Sequence, residues 1–171
     1  MSAGPDKAGM LYAGSGGAEK IKAKISANEN HINIVFFHGG VEWGARPDAA
    51  TRRLYTELIE AGADLIIGTH PHVVQGFEWI HGKPVFWSIG NYVFNEIYIP
   101  HEDTHVPVNW TEGRFGWYTG EEGLFIRLGY CLGKLFYIEP FPIFLDGART
   151  DIVSQDMLDT FYARSRQLRR Q

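Results

Sequence analysis

The chain has a single cysteine, Cys131, so no internal disulfide can form and cysteine usage leaves the redox compartment open. Cys131 sits in an alternating apolar run, which predicts a buried, unreactive thiol. No apolar run approaches the roughly 18 consecutive residues of a membrane span, and the N-terminus lacks the charged-then-apolar order of a secretion signal. The chain as it stands is therefore expected to be soluble and to carry no membrane segment. Positive charge is also scarce: 16 Lys and Arg against 20 Asp and Glu give a net charge of -4, with no basic cluster before the C-terminus. Nucleic acid is not an expected partner. What is present is ordinary for a globular protein, 44% hydrophobic and 21% charged residues over 171 positions, enough for one domain with a sizeable core.

Chemistry concentrates in residues 66–75, IIGTHPHVVQ. An apolar strand runs into Gly68, and His70 and His72 follow, spaced by one residue. Alternate residues of an extended segment point the same way, and Pro71 biases His70 toward extended backbone, so the two imidazoles are expected to face one point. That arrangement suits a metal ion, although ligation needs further donors and a histidine pair also occurs as plain surface or satisfied interior residues. A second strand is expected at 32–37, INIVFF, leading directly into His38, Gly39, Gly40, Val41 and Glu42. A helical stretch lies between, so the unit reads β-α-β, with both histidine sites at the C-terminal ends of parallel strands. Ligands bind at that edge of open α/β sheets.

The remaining segments arrange themselves around this unit. Residues 1–17 read as a flexible lead and 18–171 as one domain that opens with a short helix at 18–28. Pro47 and Asp48 open the second helix, with Pro47 expected in its first turn, Leu54, Leu58 and Ala61 at helical spacing, and Gly62 ending it. A hairpin is expected over 77–87 with His81 solvated in its turn, after which Gly90 and Asn91 end a strand at the same rim. Region 96–120 is irregular, and its His101 and His105 read as exposed loop residues. A second hairpin surrounds Cys131, with Pro140 and Pro142 marking where its second strand ends at an edge. A helix at 157–168 closes the chain, with Leu158, Phe161 and Leu168 inward and arginines outward.

Three stretches together, HGGVEW at 38–43, AGADLIIGTHPHVVQ at 61–75 and SIGNYVFN at 88–95, resemble the capsule synthesis protein CapA family of the poly-γ-glutamate type. That family is similar to calcineurin-like metallophosphoesterases, so the resemblance implies an α/β fold, a portion of a four-layer α-β-β-α sandwich with a two-metal site at strand ends. It implies His38, His70 and His72 as metal ligands, with Glu42 and Asn91 as catalytic candidates. The implied cofactor is a divalent ion, Mn, Zn or Fe, becoming dinuclear if further ligands complete the site. The Asp-bearing Gly-Asp segment and Asn-His segment expected in the N-terminal half of such enzymes do not match here, since Asn30-His31 stands at a strand start. The chain therefore resembles a C-terminal half, with a missing N-terminal half or a second subunit as partner.

The resemblance further implies a polyanionic or phosphorylated substrate and association with the cell envelope. Three readings follow. The chain is a hydrolase or transferase component, or a binding or assembly module with an incomplete metal site, or a domain whose histidines only hydrogen-bond nearby groups. Fold and motif transfer site geometry better than they transfer activity.

Overall fold

The computed structural model describes residues 11–14, 16–28, 31–91, 122–131, 134–146, 149–152 and 155–168. Within them the chain is mixed α/β. Its elements are α1 (Gly17–Ser26), β1 (Ile34–His38), α2 (Ala49–Glu60), β2 (Leu65–Thr69), β3 (Val74–Ile80), β4 (Lys83–Ile89), β5 (Glu122–Cys131), β6 (Lys134–Asp146), β7 (Arg149–Ile152) and α3 (Gln155–Leu168). Residues 1–10 of the expected lead, and His101 and His105, lie outside the described residues.

The β-α-β unit forms as the sequence predicts. β1 and β2 run parallel, with Ile34 opposite Leu65 and His38 opposite Thr69. They belong to a four-stranded sheet of order β1-β2-β4-β3, in which β4 is parallel to β2 and the β3–β4 hairpin is antiparallel. Helix α2 starts differently from expectation. Asp48 is its N-cap and accepts hydrogen bonds from the Ala50 and Thr51 amides at 2.9 Å each, so Pro47 precedes the helix instead of lying in its first turn. The carboxylate satisfies amides that have no partner within the helix, a service proline's ring cannot supply. Burial pushes the Asp48 carboxyl up, but hydrogen bonds from the Thr51 hydroxyl and the two amides outweigh it and hold it below the usual value.

The sheet buries both faces, and strand alternation sorts the side chains between them. Ile66, Val85 and Trp87 pack on Tyr55, Leu58 and Ile59 of α2 and on Ile25 of α1. Leu65, Ile67 and Phe86 turn the other way, onto Leu124 of β5 and Phe161 of α3. Each of these buried side chains contributes about 1.5–3 kcal/mol of transfer free energy. The Tyr55 ring stacks on Trp87 at 5.1 Å between centroids, and Arg52 lies over Trp87 while pairing with Glu78 at 3.0 Å. Glu78 also accepts from the Trp87 indole at 3.1 Å, so one carboxylate ties α2 to the β3–β4 hairpin.

The second sheet is antiparallel, of order β5-β6-β7. Pro140 and Pro142 do not end a strand: they lie inside β6, opposite Ile126 and Leu124, and β6 continues to Asp146. Among the described residues its pairing with β7 begins only at Ile143, so there the two prolines sit where β6 is an edge and their missing amides interrupt no β6–β7 rung. Cys131 is exposed, not buried as its pattern predicts. The register shifts between Gly129 and Tyr130, which breaks the inward alternation just before it. His81 is exposed in the β3–β4 turn as expected, 3.5 Å from Glu60.

One part of the inter-sheet surface lies outside this packing. Among the described residues β1 is an edge strand, and its Ile34 and Phe36, in register with Leu65 and Ile67, are 39% and 73% exposed. No helix among the described residues is long and apolar enough to cross a membrane.

Candidate functional site

His38 is the last residue of β1 and lies opposite Thr69, the last residue of β2. Both strands therefore deliver their histidines to one rim. The His38 and His70 rings lie 4.9 Å apart between centroids and those of His70 and His72 6.0 Å apart. The route to this cluster is not the extended one that the spacing predicts. β2 stops at Thr69, and His70 and His72 adopt positive φ of 96° and 58°. Pro71 on its own would favour extended backbone at His70, so the positive φ at both histidines is set by the contacts that hold the turn into β3 and not by the local sequence. Such conformations cost on the order of 1–3 kcal/mol each and persist where surrounding contacts over-determine them.

Those contacts are visible. The Trp43 amide donates to the Pro71 carbonyl at 2.9 Å, the Gly39 amide to the Thr69 carbonyl at 3.1 Å, and the buried Gln75 side chain to the Gly44 carbonyl at 2.8 Å. Together they clamp the 39–44 loop onto the 70–75 turn. The Trp43 indole also stacks on the His72 ring at 5.0 Å. Sequence reasoning assigned Trp43 no role of its own; a tryptophan alone in a glycine-rich loop is the signal that marks it.

Glu42 and Asn91 both meet His72. Asn91, buried, accepts from His72 Nδ1 through its Oδ1 at 2.7 Å, and Glu42 Oε1 lies 3.9 Å from His72 Nε2. Asn91 is held from behind by β5. Gly90 and Gly123 form a bridge, and a side chain at 123 would have its Cβ 1.8 Å from the Asn91 carbonyl oxygen. Only glycine allows that approach. At the other histidine, Thr69 Oγ1 lies 3.2 Å from His38 Nδ1. His38 is exposed at the rim, yet partial desolvation, and then the neighbouring His70 and His72, hold its imidazole below its ordinary pKa, which favours the neutral ring that ligation requires.

The donor set is three imidazoles, one carboxylate and one amide, chemistry that suits a borderline divalent ion. The geometry is less complete. No three His, Cys, Asp or Glu side chains among the described residues are already gathered as a metal site. The residues fit such an ion in kind, with carboxylate oxygen in short supply.

Comparison with known proteins places the chain. A family model described as bacterial capsule synthesis protein PGA_cap matches residues 2–96, more than half of the chain and all three site segments. The chain belongs to the PGA_cap family. Among curated PGA_cap-like relatives, the PGA biosynthesis protein CapA of Bacillus subtilis (strain 168) is 37% identical over 98 residues, covering 53% of this chain and 26% of that protein. The capsule biosynthesis protein CapA of Bacillus anthracis is 37% identical over 76 residues, covering 44% of this chain and 18% of that protein. The chain thus spans about a quarter or less of the curated relatives it matches.

Proposed function

We propose that this PGA_cap chain carries part of a metal-dependent, phosphoesterase-like hydrolytic centre serving capsule or poly-γ-glutamate production. The observation that supports the reading most is the meeting of His38, His70 and His72 at the C-terminal ends of two parallel strands, with Glu42 beside them. His38, His70 and His72 would hold one divalent ion, Mn, Zn or Fe. When bound, such an ion supplies a Lewis acid for a phosphoryl or acyl oxygen and lowers the pKa of a coordinated water. The chain's own groups do the rest. Asn91 fixes the His72 ring, Trp43 covers one face of it, and the exposed Glu42 carboxylate is placed to take or return a proton at the rim.

A second metal, as in two-metal hydrolases, would need carboxylate ligands beyond Glu42. In this reading they come from further sequence of a longer protein or from a second subunit. The edge of β1, open among the described residues and carrying exposed Ile34 and Phe36, is where such a segment would dock and complete a four-layer α-β-β-α sandwich. The substrate class that fits is phosphorylated or polyanionic, and the relatives' role in capsule production suggests work at the cell envelope.

The scarcity of carboxylates and the absence of a gathered ligand trio among the described residues favour a second reading, a binding or assembly module without turnover. Phosphatase assays with added Mn²⁺ or Zn²⁺ separate the two. The hydrolytic reading expects phosphoester cleavage that His70→Ala abolishes. Metal binding without cleavage supports the module.

A further inference from the structure

We propose that Thr69 is a positioning residue that fixes the tautomer of His38, so that the ring presents Nε2, with its lone pair, to the rim. The inference rests on the metal-site reading above for its purpose, but its geometry stands alone. Thr69 Oγ1 makes two polar contacts, one to the Phe37 carbonyl oxygen at 3.1 Å and one to His38 Nδ1 at 3.2 Å. A threonine hydroxyl has one proton and two lone pairs. A carbonyl oxygen cannot donate, so both contacts are hydrogen bonds at once only when the hydroxyl proton goes to Phe37. The contact with His38 then has only one consistent direction: Nδ1–H donates to Oγ1, and the neutral ring carries its lone pair on Nε2.

His72 is set the same way by a different residue. Its Nδ1 lies 2.7 Å from the Asn91 side-chain oxygen, which can only accept, so this ring too has its proton on Nδ1. Two histidines from two strands therefore have the same tautomer imposed by two unrelated neighbours. Hydrogen bonding the distal nitrogen in this way orients metal-ligating histidines and raises their basicity. Thr69 is well placed for the task. It is the cross-strand partner of His38, and its own carbonyl accepts from Gly39, so its backbone is fixed on both sides of the histidine it orients.

The test is long-range ¹H–¹⁵N correlation spectroscopy of the histidine rings in the metal-free 171-residue chain, at a pH where His38 is neutral. The expected result is His38 protonated at Nδ1, lost or mixed with the Nε2–H form in Thr69→Val and retained in Thr69→Ser, which keeps the hydroxyl. His72, held by Asn91, keeps its Nδ1–H pattern in both variants and reports that the rim is still folded. Wild-type His38 protonated at Nε2 overturns the proposal without recourse to any variant, and so does an unchanged His38 pattern in a folded Thr69→Val. If Zn²⁺ binds, its Kd should rise about 10–100-fold in Thr69→Val and recover in Thr69→Ser. An Nδ1–H tautomer in a chain that binds no Zn²⁺ upholds the role of Thr69 and counts against the metal site.

Discussion

Gly68 joins the fold to the site, and replacing it with alanine should damage both. A Cβ at this position would lie 2.0 Å from the Trp87 carbonyl oxygen and 2.5 Å from the Tyr55 hydroxyl. Neither neighbour can yield cheaply. The first is backbone of β4, paired with β2, and the second belongs to a ring buried between Phe37 and Trp87. Relieving the clash means separating β2 from β4 by more than 1 Å, roughly the shortfall from an ordinary contact, and core overpacking of even milder kinds costs about 1–3 kcal/mol. With backbone as the obstacle, about 3 kcal/mol or more is expected for Gly68→Ala, a large share of the ~5–15 kcal/mol stability of a typical domain. Because Thr69 and His70 follow immediately, the His38–His70 contact should loosen as well. Urea denaturation monitored by tryptophan fluorescence measures the first effect, and the histidine ring spectra measure the second. A loss below about 1 kcal/mol would refute the packing argument.

Two further outcomes follow from the same geometry. His38 should titrate below its ordinary 6.5, because partial desolvation and then His70 and His72 disfavour its charged form. Its neutral form is compatible with the fold above pH 6.5, and stability falls as pH drops from 6.5 toward the lowered folded value. His70→Ala should raise the midpoint only part of the way, since desolvation is the larger cause; a wild-type midpoint at or above 6.5 by NMR contradicts the account. Tyr55→Phe should leave stability unchanged or raise it by up to about 1 kcal/mol, because the buried Tyr55 hydroxyl has no hydrogen-bond partner among the described residues. A loss above 1 kcal/mol on thermal or urea unfolding would mean that the hydroxyl is satisfied after all.

The β-α-β unit was legible in the sequence because its signals are local. Alternating β-branched and aromatic residues mark β1, helical spacing marks α2, and each strand runs straight into a histidine. His38, His70 and His72 were legible as a group for the same reason. Their arrangement was not, since the positive φ of His70 and His72 is imposed by the clamp from Trp43, Gly39 and Gln75, contacts made across the chain. The same limit applies to Asn91, whose presence at the rim was readable from SIGN but whose support, Gly123 of β5, lies 32 positions away. Pro140 and Cys131 misled in a related way, because the reach of β7 and a register shift at Gly129 decide what is edge and what is exposed. Thr69 carried no sequence signal, as its hydroxyl matters only through the neighbours that the β1–β2 register provides.

The measurement that bears most directly on the central claim is elemental analysis of protein purified without chelator, comparing wild type with the His70→Ala, His72→Ala double variant. The account predicts stoichiometric divalent metal in the wild type and its loss in the variant. No metal in either protein, even after incubation with Zn²⁺ and Mn²⁺, would contradict it.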